Sequence, residues 1–483
     1  MVASLPGQLV SLLENGQHHV WEDQSIIKWR KKDAHVPLRC HESVEGSLKY
    51  WYERNKVNFL VSDSAVWNDD AVLEALDSAA LWVKGLPFVK SLSGFWKFFL
   101  ASSPKNVPVN FYDFAFPDIQ WETLPVCFLH VGEWDSDRIW VTQDSRLPAE
   151  FEITDYIYPS STDKKNVLAV QVFRWSDGSY LEDQDHWWLS GIHRDVLLLS
   201  KPQVFIADYF FKSTLAEDFS YADIQVDVKI DNSRETSKDS ILSNYTKEAS
   251  LFDMASWYSS DGFADLASSN VASLKLNPSP STRLGFHGYW LEGRLEKPRL
   301  WSAEQPNLYA LAVILKDASG NLVDCESCLV GIRQVSRAPK QLLVNGHPII
   351  IRGVNRHEHH PRLGKTNIES CMVKDLVLMK LMKQHNFNAV RNSHYPQHPR
   401  WYELCDLYGM YMIDEANIET HGFDLSGHVK HPTLEPSWAT AMMDRVIGMV
   451  KRDKNHACII SFSLGNEAGY GPNHSASAGN RFP

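Results

Sequence analysis

The sequence predicts a multidomain protein, with two β-rich domains followed by the N-terminal half of a (β/α)8 barrel. Turn-rich stretches separate strand-like runs up to about residue 200, and a cleaner polar–apolar alternation continues to about residue 336. Beyond Pro339, helical segments alternate with short apolar segments, which is typical of a parallel β/α array. The chain has 483 residues, 44% of them hydrophobic, and is long enough to bury several cores.

Residues 1–90 are predicted to be an N-terminal extension that carries one short helix. Asn68 can cap this helix and Gly85 can end it. Residues 91–200 are predicted to form the first all-β domain, with a strand at residues 166–173.

Residues 201–336 predict a second β-sandwich. One of its strands shows the alternation expected of a half-buried strand, with apolar residues at Ile224, Val226, Val228 and Ile230. Cys325 and Cys328 form the one C-x-x-C pair of the sequence and lie in a strand-like run. With no second pair and no nearby histidine, they favour strand packing over a zinc site.

Residues 337–483 predict a barrel that is truncated after its fourth strand. A turn at Asn345-Gly346 precedes a predicted strand at residues 349–351. The remaining elements are predicted as helices near 368–385, 399–408 and 437–453, and strands near 387–391, 410–414 and 458–464.

Polar clusters follow the four predicted strands of this array on their C-terminal sides. In a (β/α) barrel this rim is where active sites form, and burying so many ionisable groups is costly unless they pair with each other or with a ligand. The clusters are Asn355-Arg356-His357-Glu358-His359-His360, Ser393-His394-Tyr395, Asn417-Ile418-Glu419-Thr420-His421 and Asn466-Glu467.

Glu467 follows an apolar strand and a glycine, so its carboxyl can project into the barrel mouth, where desolvation favours general-acid chemistry. An ordinary solvated loop glutamate is the alternative.

Glu419 and His421 are two residues apart and could ligate one ion together with Glu467, with Mg²⁺ favoured and Mn²⁺ or Zn²⁺ as alternatives. A structural Glu–His pair is the competing interpretation. Asn466 could bind a sugar hydroxyl or serve as a turn residue.

Composition argues against several classes of function. Acidic residues outnumber basic ones, 59 to 48, and no basic stripe appears, so nucleic acid is not an expected partner. No apolar run approaches the length of a membrane span and no signal-peptide pattern is present, so a soluble, cytoplasmic protein is expected. The seven cysteines are odd in number and scattered, which suits a reducing compartment.

In combination, these motifs resemble the large bacterial-type β-galactosidases of glycoside hydrolase family 2, of which this chain is predicted to be a plant version. The resemblance covers roughly residues 91–479. It rests on 353–361 (GVNRHEHHP), 391–396 (RNSHYP), 414–422 (DEANIETHG) and 463–467 (SLGNE), and upstream on 143–151 (QDSRLPAEF) and 190–195 (SGIHRD).

The resemblance implies a jelly-roll domain, an immunoglobulin-like sandwich and then the barrel. It also implies that Glu467 is the acid/base and a Mg²⁺ ligand, with Glu419 and His421 as its co-ligands. His357 and His394 resemble residues that contact galactose or stabilise the transition state.

Two further residues resemble substrate contacts of the family. Asn466 resembles the partner of a substrate hydroxyl, and Asp195 the residue that reaches the galactose 6-hydroxyl and a Na⁺ ion. The sequence departs from the family between residues 127 and 142, where 16 residues stand in place of several strands, so the jelly roll is predicted to be partly deleted.

A retaining glycosidase needs two carboxyls about 5 to 5.5 Å apart. In the family the nucleophilic glutamate comes from the seventh barrel strand, and this sequence ends after the fourth.

Two functional hypotheses follow. The first is a β-galactosidase that releases terminal β-D-galactose, in a longer form or with a second polypeptide. The second is an inactive carbohydrate-binding or regulatory fragment. A product with no stable fold is a third. Within the family, β-glucuronidase and β-mannosidase are runners-up, and a homo-oligomer is left open.

Overall fold

The fold was analysed on a computed structural model of the chain. The structure describes residues 24, 26–60, 86–103, 106–108, 117, 121–126, 141–159, 161–233, 244–255, 269–276, 289–360, 364–366, 372–426 and 430–479. The predicted helix between Asn68 and Gly85 lies outside these residues. In the described part of the chain, no helix is both long enough and apolar enough to cross a membrane.

The first region of the chain, up to Leu199, contains three small antiparallel pairs of strands among its described residues. These are β1 (Lys28–Trp29) with β5 (Val141–Thr142), β2 (Val89–Ser91) with β6 (Leu197–Leu199), and β3 (Gly94–Phe98) with β4 (Glu122–Val126). The predicted strand at 166–173 is wrong: this segment is irregular and exposes Val167, Leu168 and Val172. It pairs with no other strand among the described residues, and a strand without a partner leaves its backbone groups unsatisfied.

Residues predicted as an N-terminal extension are part of the folded body. Helix α1 (Val44–Leu60) buries Leu48 and Trp51 in the same apolar core as the barrel helices. The Trp51 indole donates a hydrogen bond of 3.0 Å to the Ser327 hydroxyl in the following domain. Burial of an indole of this size stabilises the docking of α1 by roughly 2 kcal/mol.

The second region is the predicted sandwich. Seven antiparallel strands follow the order β13-β12-β9-β10-β11-β8-β7, and β7 also packs against β13, so that the sheet folds over itself into two layers around one core. Ile224, Val226 and Val228 are buried as the alternation predicts. The strands are β7 (Val204–Leu215), β8 (Tyr221–Asn232), β9 (Thr246–Asp253), β10 (Asn270–Leu276), β11 (Tyr289–Glu296), β12 (Tyr309–Lys316) and β13 (Leu322–Val330).

A three-stranded antiparallel sheet leads from the sandwich into the barrel. It contains β14 (Val335–Ala338), β15 (Gln341–Val344) and β16 (His347–Pro348). The predicted turn between β15 and β16 is confirmed, with φ of 51° at Asn345 and 76° at Gly346, the left-handed pair that a tight hairpin requires.

The predicted strand at residues 349–351 is wrong. The Ile349 amide still bonds back to Leu342, so the isoleucine run ends the hairpin instead of beginning the barrel. Ile350 is 71% exposed, and the first barrel strand starts at Gly353.

Four parallel strands in chain order form the barrel sheet of the described residues. They are β17 (Gly353–Arg356), β18 (Ala389–Asn392), β19 (Tyr411–Glu415) and β20 (Ile459–Ser463). The helices of this region are α2 (Met372–Gln384), α3 (Pro399–Tyr408), α4 (His421–Ser426), α5 (Ala439–Asp453) and α6 (Pro472–Gly479).

Helices α3 and α5 confirm the predicted helices at 399–408 and 437–453. The ends of α3 are set locally. The His398 side chain accepts the Arg400 amide, Pro399 occupies the first turn, and Gly409 ends the helix at φ 72°. Since the four strands are parallel, the residues that follow their carboxyl ends share one edge of the sheet.

Candidate active site

A buried carboxylate occupies the centre of this edge. Glu415 ends β19 and receives two hydrogen bonds from the Arg391 guanidinium, of 2.9 and 2.8 Å. Its oxygens also lie 2.8 Å from the Ser463 hydroxyl and 2.9 Å from Nδ1 of His394. Three neighbouring strands therefore converge on Glu415, which holds the His394 ring in place.

His357 lies beside His394, with ring centroids 5.0 Å apart and ring planes nearly perpendicular. Burial, together with the neighbouring His394 and His359, lowers the pKa of His357 to about 4. The imidazole is therefore neutral at pH 7 and can both donate and accept a hydrogen bond. Its Nδ1 is buried without a hydrogen bond, which leaves this nitrogen available to a ligand.

Glu467 is half exposed at the end of a backbone turn after β20. Gly465 makes this turn possible, because a Cβ at this position would collide with the Ile418 carbonyl. The Asn466 amide then bonds to that carbonyl at 2.9 Å, and the Asn466 side-chain oxygen accepts a 2.9 Å bond from Arg391. The turn thus fixes Asn466 and Glu467 next to each other on the rim.

The Glu467 carboxylate lies 3.0 Å from Nδ1 of His421. One ligand atom each from Asp185, His421 and Glu467 lies within 4.8 Å of the others, an arrangement able to hold a metal ion. These three residues are called the Glu467 group below. Asp185 lies in a loop of the first region that follows Leu181. This loop is tied to the barrel, because the Glu419 amide donates a 2.8 Å hydrogen bond to the Leu181 carbonyl.

Glu419 is buried next to this group. Burial raises the pKa of Glu419 to about 8; Asn466 opposes the shift, and Glu467 and Asp185 add to it. Neither carboxylate oxygen of Glu419 makes a hydrogen bond of good geometry. A buried carboxylate next to other acids is what a cation would stabilise, so these donors fit a hard divalent ion.

Asp195 does not join the Glu467 group. Its contacts are the Ser93 hydroxyl at 3.4 Å and Nε2 of His398 at 3.7 Å. It lines a cavity of about 1000 Å³ between the first region and the barrel, whose lining includes none of Glu467, His357 and His394. Its outer oxygen, Oδ2, is buried without a hydrogen bond and could accept a cation there.

Two residues of the site, Glu415 and Asp185, are not among the site residues that the sequence predicts. Glu415 stands inside the motif at 414–422, and a carboxylate that ends an apolar strand is a signal for it. Asp185 belongs to an acidic loop whose approach to the barrel depends on tertiary structure. No local pattern of the sequence indicates that approach.

Family models match most of the chain. Residues 133–202 match the sugar-binding domain of glycosyl hydrolases family 2, residues 204–333 match the model described as glycosyl hydrolases family 2, and residues 335–479 match its TIM barrel domain. The chain belongs to glycosyl hydrolase family 2, and the order of a sugar-binding domain, an immunoglobulin-like domain and a barrel is thereby confirmed.

Within this family, the chain is similar to bacterial β-galactosidases. It is 38% identical to that of Vibrio cholerae over 488 residues and 43% identical to that of Yersinia pestis over 490 residues. Each alignment covers 94% of this chain and 44% of the relative. The chain therefore spans less than half the length of the curated relatives it matches.

Solved structures show the same fold. A β-glucuronidase from Bacteroides uniformis superposes with a TM-score of 0.57 at 19% identity, covering 77% of this chain and 46% of that one. A β-glucuronidase from Ruminococcus gnavus superposes with a TM-score of 0.56 at 18% identity, covering 81% and 69% respectively. At this identity the likeness concerns the fold alone.

Proposed function

We propose that this chain carries the acid/base half of a β-galactosidase active site and binds terminal β-D-galactose residues. The observation that supports this most is the pair of Glu467 and His421 at the barrel rim, backed by buried Glu419 and faced by Asp185. The similarity to β-galactosidases along 94% of the chain supports galactose as the sugar.

In this proposal Glu467 protonates the leaving glycosidic oxygen. Its half-exposed position on a rigid turn leaves one face of the carboxyl open to a substrate. The neutral His357 and the anchored His394 contact the sugar, and Asn466, fixed by Arg391, orients a hydroxyl next to the reacting carbon.

A divalent cation, Mg²⁺ with Mn²⁺ as an alternative, is proposed to be held by His421 and Glu467, which lie together with Asp185, and by the buried Glu419 next to them. The ion would supply positive charge that keeps Glu419 ionised and orients Glu467. A Na⁺ ion at Asp195 is a separate proposal that rests on its unbonded buried oxygen. Since Asp195 lies apart from Glu467, no catalytic step is assigned to it.

Turnover in a retaining mechanism requires a second carboxylate about 5 to 5.5 Å from the first. The family resemblance assigns it to a seventh strand, whereas the described barrel sheet contains four. We therefore propose that turnover depends on the rest of the barrel, and that residues 1–483 by themselves bind galactose without hydrolysing it.

A nitrophenyl β-galactoside assay tests both parts. The chain is assayed alone and with a purified C-terminal half of a related β-galactosidase. We expect hydrolysis only in the mixture, and a loss of roughly 100-fold or more in Glu467→Gln, because the proton donor is removed. Glu217→Gln, an exposed glutamate on the sandwich, is the matched control.

Binding is measured separately by calorimetry with galactose and mannose. A preference for galactose that persists in Glu467→Gln but is lost in His394→Ala would support the binding function. Equal binding of both sugars would contradict the assignment of galactose, and hydrolysis by residues 1–483 alone would contradict the need for the rest of the barrel.

A cytoplasmic location is also proposed. All described cysteines are free thiols, and Cys405 and Cys458 are fully buried in the barrel core. Such thiols suit a reducing compartment.

A further inference from the structure

A second group of metal-ligating side chains lies outside the Glu467 group. His357 and His359 follow β17, and their rings stack at 5.2 Å with an angle of 16° between the planes. His186, from the first region, meets both rings edge-on with centroids 5.7 and 5.2 Å away. One ring nitrogen of each histidine lies within 4.8 Å of the other two.

We propose that His186, His357 and His359 form a binding site for a borderline divalent cation such as Zn²⁺. The bound ion would join the first region to the barrel. The site is distinct from that of the Glu467 group, in which carboxylates supply two of the three ligand atoms.

The donor chemistry selects the class of ion. Three imidazoles and no carboxylate disfavour Mg²⁺ and Ca²⁺, which prefer oxygen ligands, and favour Zn²⁺, Cu²⁺ or Ni²⁺. Zn²⁺ binds imidazole nitrogen at about 2.0–2.1 Å, which places tetrahedral ligands roughly 3.4 Å apart. From the present spacing within 4.8 Å, the histidine rings must rotate and move closer to reach this geometry, with a fourth position left for water.

Two hydrogen-bonding features suit this role. His186 has Nδ1 3.2 Å from the Trp187 carbonyl, a contact that keeps the proton on Nδ1 and the lone pair on Nε2. His357 has its Nδ1 buried with no hydrogen bond, so this nitrogen can bind the ion while the other ring nitrogen is left to contact the sugar as proposed above. Trp187 also stacks on His359 at 5.0 Å, which restricts the rotation of that ring.

Two positive groups oppose a metal at His186, Arg146 and Lys365. The Arg146 guanidinium contacts Nε2 of His186 at 3.2 Å. Arg146 has other partners, the Glu358 carboxylate at 3.5 Å and the face of Tyr395 at 3.6 Å, which can retain it when His186 turns to a metal. Glu358, which also binds Arg194, offsets part of this positive charge.

Equilibrium dialysis of the full chain against Zn²⁺, in excess Mg²⁺, tests the proposal by counting bound zinc. We expect His186→Ala and His359→Ala each to bind one zinc ion fewer than the wild type. His347→Ala, an exposed histidine in the linking sheet, should bind as much as the wild type. Replacing His421 with alanine identifies any zinc that enters the Glu467 group, and this variant should keep the site at His186.

Cobalt provides an independent readout. Co²⁺ bound by three imidazoles should give a visible absorption band that disappears in His186→Ala and in His186→Asn, with circular dichroism verifying that each variant is folded. The proposal is overturned if His186→Asn binds as much zinc as the wild type does. It is also overturned if His421→Ala binds no zinc at all, because all the zinc would then belong to the Glu467 group.

Discussion

At the scale of single residues, His456 gives the stability of the barrel a pH dependence. Its largely buried ring lies 2.6 Å from the Asp406 carboxylate of α3, which also accepts the Cys458 amide just before β20. Burial alone would lower the pKa of His456, but Asp406, together with the charges of Asp453 and Glu403, outweighs burial and raises the pKa above the ordinary 6.5. The folded state therefore holds this proton more tightly than the unfolded state does.

The contribution of His456 to the free energy of unfolding should consequently be fully present below pH 6.5 and be lost as the pH rises through the folded pKa of His456. In His456→Gln this loss should be reduced, and below pH 6.5 the variant should be about 1.5–3 kcal/mol less stable, the range for a hydrogen bond to a charged group. Urea unfolding at a series of pH values measures the free energy of unfolding and its change with pH. His385→Gln, at an exposed histidine, is the control. If the free energy of His456→Gln changed with pH in the same way as that of the wild type, the assignment to His456 would be refuted.

Residue patterns predicted the barrel half of the candidate site but not the contribution of the first region. Glu467 and His421 meet at 3.0 Å because each follows a parallel strand, and this relation can be read from the sequence. Asp185 reaches them only because the loop after Leu181 bonds to Glu419. The site roles themselves stay predictions until the variants are measured.

At the scale of elements, one buried carboxylate adds to the apolar contacts that dock α1. Glu403 on α3 accepts Arg39 at 2.6 Å, Arg54 at 2.9 Å and Arg400 at 2.6 Å. Burial would raise the pKa of Glu403, but these three guanidinium groups hold it well below its usual range. Two of the three come from the N-terminal segment, so this carboxylate ties that segment to the barrel.

Glu403→Gln should destabilise the protein by about 3–5 kcal/mol, because three arginines would lose their buried counter-charge. Limited proteolysis should also cut the segment around α1 faster than in the wild type. Chemical denaturation of Glu403→Gln and of the exposed control Glu217→Gln provides the comparison. A loss of stability of equal size in both variants would show that Glu403 has no special role.

Elements with local start and stop signals were the predictable ones. Helix α3 has Pro399 in its first turn and Gly409 at its end, and it forms as predicted. The segment at 166–173 is a strand-like apolar run with no local feature that supplies a partner, and it does not form a strand. Strand formation depends on a neighbour, which sequence alternation cannot show.

At the scale of the whole molecule, the barrel sheet is open in the described residues. β17 and β20 are its outer strands, and the parallel ladder continues past neither. Apolar side chains at this part of the molecule are exposed, with Val354 at 37% on β17 and Phe462 at 38% on β20. An uncovered strand of this kind is a template for pairing with another chain.

We therefore expect the chain to self-associate through these strands, with an average mass that rises with concentration in sedimentation experiments. Phe462→Lys should shift the equilibrium toward monomer, because a charge on an outer strand opposes strand addition. Leu322→Lys, equally exposed at 39% on the sandwich, is the matched control and should leave association unchanged. A C-terminal half-barrel from a relative should compete with self-association, since both would use the same strands. A wild-type chain that stays monomeric, or an equal effect of both lysines, would contradict association through the barrel sheet.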